Sequence, residues 1–416
     1  MTGALNVRFE PFFLVRSGAS IPVTLTREAS EAAPKGTKPD IRTLMVPLGA
    51  SGLEVPQLPT GLWCVQATLP NGQKIGTSVE IGPGPEKAEA VLFADFPSPN
   101  EDAAWAYVLQ APTRARNLTP GLGRGLSFPR APTLESVDRG FVEPRLSLRP
   151  ARGGREGASA RELPESSPVS ARARPNRDPD ALFEGDLDVP ADRSWWLVAT
   201  SPEHTTRWRV PPSPQGGRTR FLLRADSGDS RDPFPWQASF DFGNDRATTL
   251  ISYLQGGALD AARHTGLAFL REAIELLGGK YTDLSSAFAA GYFLKRAADW
   301  TVGQTIGGLP ARDLGSWLGN MDRDFQAHSD GAVLHGCWLL DNARPAEARQ
   351  AFLRAASRPL PIFTMGLRAL TDGLQYLYAA RAEGSQDEEV ATALTWLGGA
   401  VRASDADAMV TCLAAL

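Results

Sequence analysis

The sequence predicts a multidomain protein in which β-rich units precede an α-helical unit. Three observations predict this order. Apolar and polar residues alternate in the first part of the chain, as they do in half-buried strands. Residues 113–192 then lose every regular apolar period. From Leu259 to Leu416, apolar residues recur every three or four positions, and Gly, Pro or a capping residue closes each block, as in amphipathic helices.

Residues 1–82 are predicted to form a β-sandwich. The clearest pattern is a pair of alternating runs, Trp63–Leu69 and Ile75–Ile81, which are joined through Asn71-Gly72. A type I′ turn needs positive φ at both central positions, and Asn-Gly supplies it at low cost. The two runs are therefore expected to pair as a β-hairpin.

A string in the same region resembles the transthyretin-like, or carboxypeptidase regulatory-like, β-sandwich modules. It runs from Leu58-Pro59-Thr60-Gly61-Leu62-Trp63 to Leu69-Pro70-Asn71-Gly72. Those modules carry a Pro-x-Gly-aromatic strand, a turn and an outgoing strand, and similar strings occur in immunoglobulin-like folds. The resemblance covers about 25 residues. It implies a structural or binding module without catalytic activity.

Residues 86–245 are predicted to form a second β-rich unit, built from a strand at Ala90–Phe96 and from strands within 194–242. Residues 113–192 interrupt this unit and are rich in Arg, Pro and Gly. Residues 113–180 hold 13 Arg, no Lys and 8 Asp or Glu. Because the stretch has no sustained apolar pattern, it cannot bury enough apolar surface to offset the entropy lost on ordering. Residues 113–192 are therefore predicted to be a mobile insertion. It is either a functional tether, cleavage site or partner-binding arm, or an insertion without function.

Residues 246–416 are predicted to form an α-helical array. The loops between the apolar blocks are short, which indicates antiparallel neighbouring helices. The last helix is expected to begin at Ser404 and to bury Val410, Leu413 and Leu416. A stack of this kind buries one face of each helix and presents a long outer surface, which usually binds other proteins.

One predicted helix pair carries small, aromatic and proline residues at a spacing similar to that of a tetratricopeptide repeat. These residues are Gly336, Ala348, Phe352, Ala355, Pro359 and Pro361. In that family, small residues let paired helices approach and the aromatic side chain fills the gap between repeats. The match covers roughly 34 residues, whereas the other pairs lack the expected proline and have loops of varying length. The resemblance implies a tetratricopeptide-like array, and a simple α-helical bundle is the alternative.

The composition bounds the function. Of 416 residues, 42% are hydrophobic and 22% are charged, as in soluble globular proteins. The net charge of -4 argues against a dedicated nucleic-acid binder. The start of the chain lacks the basic and apolar regions of a secretory signal, and no apolar run is long enough to span a membrane, so a cytoplasmic protein is predicted. Only six of the 43 basic residues are Lys, which is typical of a GC-rich bacterial genome.

Cysteine and histidine offer few catalytic options. The three cysteines, Cys64, Cys337 and Cys412, are too dispersed for a disulfide framework or a zinc site. His335 and Cys337 stand two positions apart on a predicted helix, so they point to different faces. Cys337 belongs to the apolar face, where a thiol is expected to be inert.

Four further histidine and acidic positions complete this group. His328 and Asp330 precede the same predicted helix and complete its cluster of His, Asp and Cys. His204, next to Glu203, is expected in a solvated turn, and His264 is expected on a helix surface.

Two other patterns fail as chemical motifs. Gly121–Gly125 is rich in glycine, yet it lacks the preceding strand, the following helix and the lysine of a phosphate-binding loop. Asp95, Glu101 and Asp102 are acidic neighbours, and helix capping explains the last two. The sequence therefore identifies no catalytic, cofactor-binding or metal-binding residue, and no cofactor is predicted.

The first functional hypothesis is a non-enzymatic bacterial scaffold or adaptor that binds one or more proteins. The overall layout resembles accessory proteins encoded beside caspase-like peptidases in bacterial conflict systems. That resemblance implies a caspase-like peptidase as partner, with this chain as its accessory protein, substrate or regulator. A hydrolase whose site is assembled from sequence-distant residues is the second hypothesis. A structural subunit of a larger assembly is the third.

Overall fold

The fold is taken from a computed structural model of the chain. The structure describes residues 2–10, 20–28, 40–47, 52–68, 74–84, 87–93, 144–153, 167–169, 172–173, 182–202, 204–225, 234, 236–241, 244, 246–247, 250, 267–380, 387–406 and 408–414. The Asn71-Gly72 turn lies outside these residues.

Seven strands form a first β unit of two facing sheets. They are β1 (Thr2–Glu10), β2 (Ser20–Arg27), β3 (Ile41–Pro47), β4 (Leu53–Pro59), β5 (Gly61–Thr68), β6 (Lys74–Ile81) and β7 (Lys87–Phe93). One sheet has the order β4-β1-β7 and the other has the order β3-β2-β5-β6. Their inner faces bury one hydrophobic cluster, which includes Leu5, Val23 and Trp63. The predicted β-sandwich is confirmed.

The predicted hairpin is confirmed as an antiparallel pair. β5 and β6 pair from Gly61 opposite Ile81 to Thr68 opposite Lys74. Trp63 and Val65 on β5 are completely buried, whereas the residues between them are only partly covered. The alternation in the sequence therefore reports the inner and outer faces of this strand.

The strand at Lys87–Phe93 corrects one sequence prediction. It was expected in the second β-rich unit, yet β7 runs parallel to β1, from Ala4 opposite Lys87 to Glu10 opposite Phe93. Ala90 and Leu92 are buried in the first cluster. The first unit therefore extends past the predicted boundary at 82, because a parallel strand pairs with a partner that local patterning does not reveal.

A second β region contains two larger sheets. Its strands are β8 (Arg145–Pro150), β9 (Ser167–Pro168), β10 (Arg172–Ala173), β11 (Leu182–Leu187), β12 (Trp195–Thr200), β13 (Thr205–Val210), β14 (Thr219–Ala225) and β15 (Trp236–Asp241). One sheet has the order β10-β11-β14-β15. The other contains β13-β12-β8-β9 and is completed by β18 (Cys412–Ala414) at its edge.

The insertion predicted at residues 113–192 includes segments that the structure shows as strands. Inside it, β8 pairs with β12 along its whole length, from Arg145 opposite Thr200 to Pro150 opposite Trp195. β11 also lies in this stretch and pairs with β14. β8 is short, but its Leu146 and Leu148 alternate with polar residues and pack against the hydrophobic core. Main-chain hydrogen bonds to β12 complete the strand. Residues 113–143 lie outside the described part of the chain.

The described part of the C-terminal half contains seven α-helices. They are α1 (Leu267–Gly278), α2 (Leu284–Ala297), α3 (Ala311–Asp324), α4 (Asp330–Asp341), α5 (Pro345–Ser357), α6 (Thr364–Ala379) and α7 (Glu388–Arg402). A two-stranded ribbon, β16 (Thr305–Ile306) and β17 (Leu309–Pro310), lies between α2 and α3. The predicted layout, β-rich first and α-helical afterwards, is confirmed.

Local signals set several helix ends. The Asp283 side chain accepts a hydrogen bond from the Ser286 N–H and thereby caps the start of α2. Pro345 opens α5, where its missing N–H costs nothing. Every residue of α2 from Leu284 to Leu294 is buried, so α2 is the central helix of this region.

Phe352 packs the helices as the tetratricopeptide resemblance implies. A Cβ placed at Gly336 of α4 would lie 2.7 Å from the Phe352 ring, and one at Gly373 of α6 would lie 2.5 Å from it. The two glycines thus let α4 and α6 approach α5 closely around one aromatic side chain. The tetratricopeptide-like array and the simple α-helical bundle both stay as predictions.

The end of the chain corrects a second prediction. Ser404 was expected to cap a final helix, but α7 already ends at Arg402 and the following residues form β18. Cys412 pairs with Trp208 of β13, and Ala414 pairs with Thr206. The apolar residues near the terminus fit either period over so short a stretch, and pairing with an available sheet edge decides the outcome. β18 thereby ties the helical region to the second β region, and the two share one hydrophobic core.

Candidate functional site

A buried arginine joins the second β region to the helices. Arg209 of β13 is completely buried, and its three donor nitrogens are all bonded. Nε donates to the Leu360 carbonyl (2.8 Å), Nη1 to the Trp195 carbonyl (2.9 Å) and Nη2 to the Ser194 hydroxyl (2.8 Å). Burial lowers the Arg209 pKa to about 10, and the charge of Asp330 opposes that decrease. The residue stays protonated and ties the sheet to the loop before α6.

Ser194 and His328 form a second contact of this junction. The Ser194 Oγ lies 3.1 Å from the His328 Nδ1 and 2.6 Å from the Ala327 carbonyl. The His328 Nε2 lies 2.9 Å from the Ala191 carbonyl, which only accepts, so Nε2 carries the proton. Burial, together with the charge of Arg209, lowers the His328 pKa to about 3, so the ring is neutral at physiological pH.

Asp330 completes the junction at the start of α4. Its carboxylate accepts hydrogen bonds from the Tyr292 hydroxyl (3.0 Å) and from the Ile362 N–H (2.9 Å). Burial raises the Asp330 pKa, and these hydrogen bonds and the charge of Arg209 oppose the increase. The Asp330 carboxylate thus holds the Tyr292 hydroxyl and the loop before α6 in place.

The junction has the residue types of a nucleophile and base, but it is closed. Ser194 is 5% exposed, and His328 and Asp330 are completely buried. In a catalytic triad the acid hydrogen-bonds to the imidazole of the base. Asp330 instead accepts a hydrogen bond from Tyr292. No substrate can reach the Ser194 hydroxyl, which Arg209 and the Ala327 carbonyl already occupy. We interpret this junction as the structural connection between sheet and helices.

The cysteine and histidine expectations on α4 agree with the structure. Cys337 is buried, and burial raises the pKa of its thiol to about 12, so the thiol is inert at neutral pH. His335 points away from Cys337 and lies with its Nδ1 3.4 Å from the Asp322 Oδ2. His204 lies in a turn in which its N–H bonds the Ser201 hydroxyl. His264, Asp95, Glu101, Asp102 and Gly121–Gly125 lie outside the described residues.

The strongest candidate site is an open groove across α3, α4 and α5, here called the arginine groove. Its volume is about 660 Å³. Polar and charged side chains dominate its walls. They are Arg312, Ser316, Asn320, Asp322, Arg323, Gln326, His335, Arg344, Arg354 and Arg358, with Gly315, Gly319 and Trp338. Five arginines thus face one carboxylate.

Two glycines on α3 allow the groove to form. A Cβ at Gly315 would lie 2.4 Å from the Trp338 ring, and one at Gly319 would lie 3.4 Å from the His335 ring. Because neither residue has a side chain, α4 packs closely against this face of α3. Trp338 fills the space and donates its Nε1 hydrogen to the Ala311 carbonyl (3.1 Å). Gly315 and Gly319 therefore line the groove with main-chain atoms only, next to the long arginine side chains.

Asp322 is the negative centre of the groove. Its side chain is 5% exposed and contacts Arg354 Nη2 and Arg358 Nη2, the latter at 2.9 Å. Burial by itself would raise its pKa, but the hydrogen bonds from His335 and Arg354 and the charges of Arg354 and Arg358 lower it to about 2. One carboxylate is thus shared by two guanidinium groups, and the cluster keeps a net positive charge.

The outer arginines have weaker partners. Arg312 lies 3.7 Å from Asp313, and Arg323 lies 3.1 Å from Asp324. Their side chains are 81% and 68% exposed, respectively. Exposed pairs of this kind contribute little, so both arginines can exchange an in-chain partner for a ligand.

A second cavity adjoins the groove at the end of α3. It has a volume of about 580 Å³ and lies between residues 188–191, residues 213–218 and the loop before α2. Lys280 lines it, with its Nζ 5.3 Å from the Tyr281 ring centre and 5.5 Å from the Trp317 ring centre. Burial lowers the Lys280 pKa, and the charge of Asp324 opposes the decrease. Its positive group is thus covered by aromatic faces.

Sequence reasoning singled out His328, Asp330 and His335 but missed their partners. Ser194 and Arg209 lie more than a hundred residues from His328, so no local signal joins them. The groove did leave a trace in the sequence. On α3, Arg312, Gly315, Ser316, Gly319, Asn320 and Arg323 follow a spacing of three or four and form a polar helix face.

Among the described residues, no three His, Cys, Asp or Glu side chains converge as a metal site would require. In the same part of the chain, none of the helices combines the length and the apolar character needed to cross a membrane.

Comparison with known proteins gives one match. Residues 249–416 match the family model described as the Y4kD C-terminal domain. This stretch contains all seven described helices and β18, hence the whole arginine groove, and it is less than half of the chain. No curated protein and no solved structure matches the chain.

Proposed function

We propose that this protein is a non-enzymatic interaction protein whose helical region binds a partner protein at the arginine groove. The observation that supports this best is the gathering of five arginines around one open groove in a chain of net charge -4. Three packed helices and the shared core hold the walls of the groove. A fixed, charged surface of this kind favours recognition over catalysis.

The second hypothesis, a hydrolase, finds little support in the described residues. Their best nucleophile–base pair, Ser194 with His328, is enclosed. The cysteine nearest a histidine in sequence, Cys337, is buried and protonated. A hydrolase would therefore need a different set of groups. The predictions of a cytoplasmic location and of a caspase-like peptidase as partner remain part of the proposal, and the identity of the partner tests them.

Site-specific photocrosslinking tests this function. The full chain receives a photoreactive amino acid at Ser316, which is exposed in the groove, and in a separate variant at Thr392, which is exposed on α7 and does not line the groove. Both variants are irradiated in lysate of the native host. We expect mass spectrometry to find one protein joined to the Ser316 variant alone, and this protein, once purified, to bind the unmodified chain at a fixed stoichiometry.

Three outcomes contradict the proposal. Equal labelling from Ser316 and Thr392 would show that the groove has no preference. The absence of a stoichiometric partner would remove the adaptor function. Crosslinks only between copies of this chain would favour the third hypothesis, a structural subunit of an assembly, because a subunit interface joins identical chains.

A further inference from the structure

We propose that the arginine groove binds an extended acidic segment of the partner, with acidic side chains at alternate positions, and that Arg312 and Arg323 contact its carboxylates. This inference rests on the proposed function and specifies the chemistry of the partner. It follows from the charge of the groove, from the freedom of the individual arginines and from their spacing along α3.

The charge of the groove selects a negative ligand. The lining contains five arginines and only one carboxylate, Asp322. Three further carboxylates, on Asp313, Asp324 and Glu347, pair with arginines at the rim and reduce the excess. All three rim carboxylates pair through exposed side chains, so a ligand can displace them at low cost.

The arginines divide into structural and available groups. Arg358 is only 12% exposed and donates to the His328 and Asp322 carbonyls, so it holds the end of α5 in place. Arg344 is bound through both Nε and Nη2 to Glu347. Arg354 donates to the buried carboxylate of Asp322. Arg312 and Arg323 are 81% and 68% exposed, and each has one carboxylate partner within the described residues. These two arginines are available to a ligand.

The spacing of the available arginines indicates an extended ligand. Arg312 and Arg323 are eleven residues apart on α3, which is close to three full turns, so they share a face about 16 Å apart. An extended peptide advances about 3.3 Å per residue and covers this distance with about five residues. Its side chains point to opposite sides in turn, so acids at alternate positions all face the groove.

The same geometry disfavours a single phosphate or a nucleotide. A compact anion needs several guanidinium groups that converge on one point, and the inner pair, Arg354 and Arg358, already converges on Asp322. Single-stranded nucleic acids need open aromatic faces for base stacking. The aromatic residue of the groove, Trp338, is 6% exposed and packs against Gly315. Spread positive charge without a stacking platform favours carboxylates on a peptide.

Fluorescence anisotropy with the full chain tests the inference. The probes are a fluorescein-labelled peptide of four Glu-Ser repeats, a peptide of four Glu followed by four Ser, and a single-stranded DNA of the same charge. The groove variant is Arg312→Gln with Arg323→Gln. The control variant removes the same charge elsewhere, by Arg271→Gln on α1 and Arg402→Gln on α7, which are exposed and outside the groove.

We expect the Glu-Ser repeat to bind more tightly than the block peptide and than the DNA. The groove variant should bind it about fivefold more weakly, as expected for the loss of two exposed ion pairs, while the control variant stays close to the unmodified chain. Because all four arginines are exposed, each variant should keep the helical circular dichroism and the urea midpoint of the original.

An equal loss in both variants, no peptide binding, no preference for the alternating peptide, or tighter binding of the DNA would each overturn the inference. The crosslinking experiment separates this failure from failure of the proposed function. If the Ser316 variant still captures a specific partner while peptide binding fails, the groove binds proteins by other chemistry. If the peptide binds as expected but no partner is captured, the groove chemistry holds and the adaptor function fails.

Discussion

Replacement of Asp322 by Asn should destabilise the fold in a manner that depends on pH. The carboxylate is 5% exposed and is shared by Arg354, Arg358 and His335. Its pKa falls from 3.8 to about 2 because these partners outweigh the effect of burial. At 1.36 kcal/mol per pKa unit, the ionised carboxylate stabilises the folded state by about 2 kcal/mol at neutral pH. Asn keeps the shape but loses the charge, so the free energy of unfolding should fall by about this amount.

The sign of the pH dependence follows from the lowered pKa. A carboxyl group with a lower pKa in the folded state contributes its full stabilisation above its ordinary pKa of 3.8, and this contribution disappears as the pH falls towards 2. The difference between the original chain and Asp322→Asn should therefore be the same at pH 7 and pH 5. At pH 3 it should shrink to roughly half.

Urea unfolding at pH 7, 5 and 3, followed by circular dichroism, measures this difference. Asp313→Asn on the same helix is the matched control, because its side chain is 44% exposed and lies 3.7 Å from Arg312. The control should change the free energy of unfolding by less than about 0.5 kcal/mol. A difference for Asp322→Asn that does not vary with pH, or one no larger than that of the control, would refute the electrostatic reasoning.

Three further predictions test other parts of the structure. Arg209→Met should cost about 3–5 kcal/mol in urea unfolding, because it leaves two buried carbonyls without a donor and removes the positive charge facing the buried carboxylate of α4. Gly315→Ala should cost about 1–3 kcal/mol because its Cβ would contact a tryptophan ring. Gly399→Ala on α7, where an added Cβ contacts nothing, should stabilise the fold by about 0.5–1 kcal/mol. An equal effect of the two substitutions would contradict the packing argument. Cys337 should resist iodoacetamide at pH 8 in the folded protein while the partly exposed Cys64 reacts, as read by peptide mass spectrometry; alkylation of Cys337 at the rate of Cys64 would show that it is not enclosed.

The buried junction connects the second β region to the helical region, and the two share one hydrophobic core. Arg209 alone bonds two carbonyls and one hydroxyl from segments on both sides. Hydrogen bonds are directional, so this network fixes how the helices pack against the sheet. It thereby also fixes the orientation of α4 and α5. The arginine groove lies on the face of these helices, and its shape therefore depends on the junction beneath it.

The sequence by itself determined the elements whose signals are local. The alternation around Trp63 and Ile75 predicted β5 and β6, since a strand buried on one face must alternate. Periods of three and four predicted the helices, since an amphipathic helix buries one face. These signals survive because the main-chain bonds of a helix or hairpin form between residues close in sequence.

Only the tertiary structure decided which segments meet. β7 joins the first sheet and β18 joins the second, although short apolar runs look alike whichever partner they have. In β13 every residue from Thr206 to Val210 is buried, including Arg207 and Arg209, so both faces of this strand are covered. The arginine groove arises the same way, from three helices that bring Arg312, Arg354 and Asp322 together. Contacts between distant segments depend on how whole faces pack, and no local period encodes them.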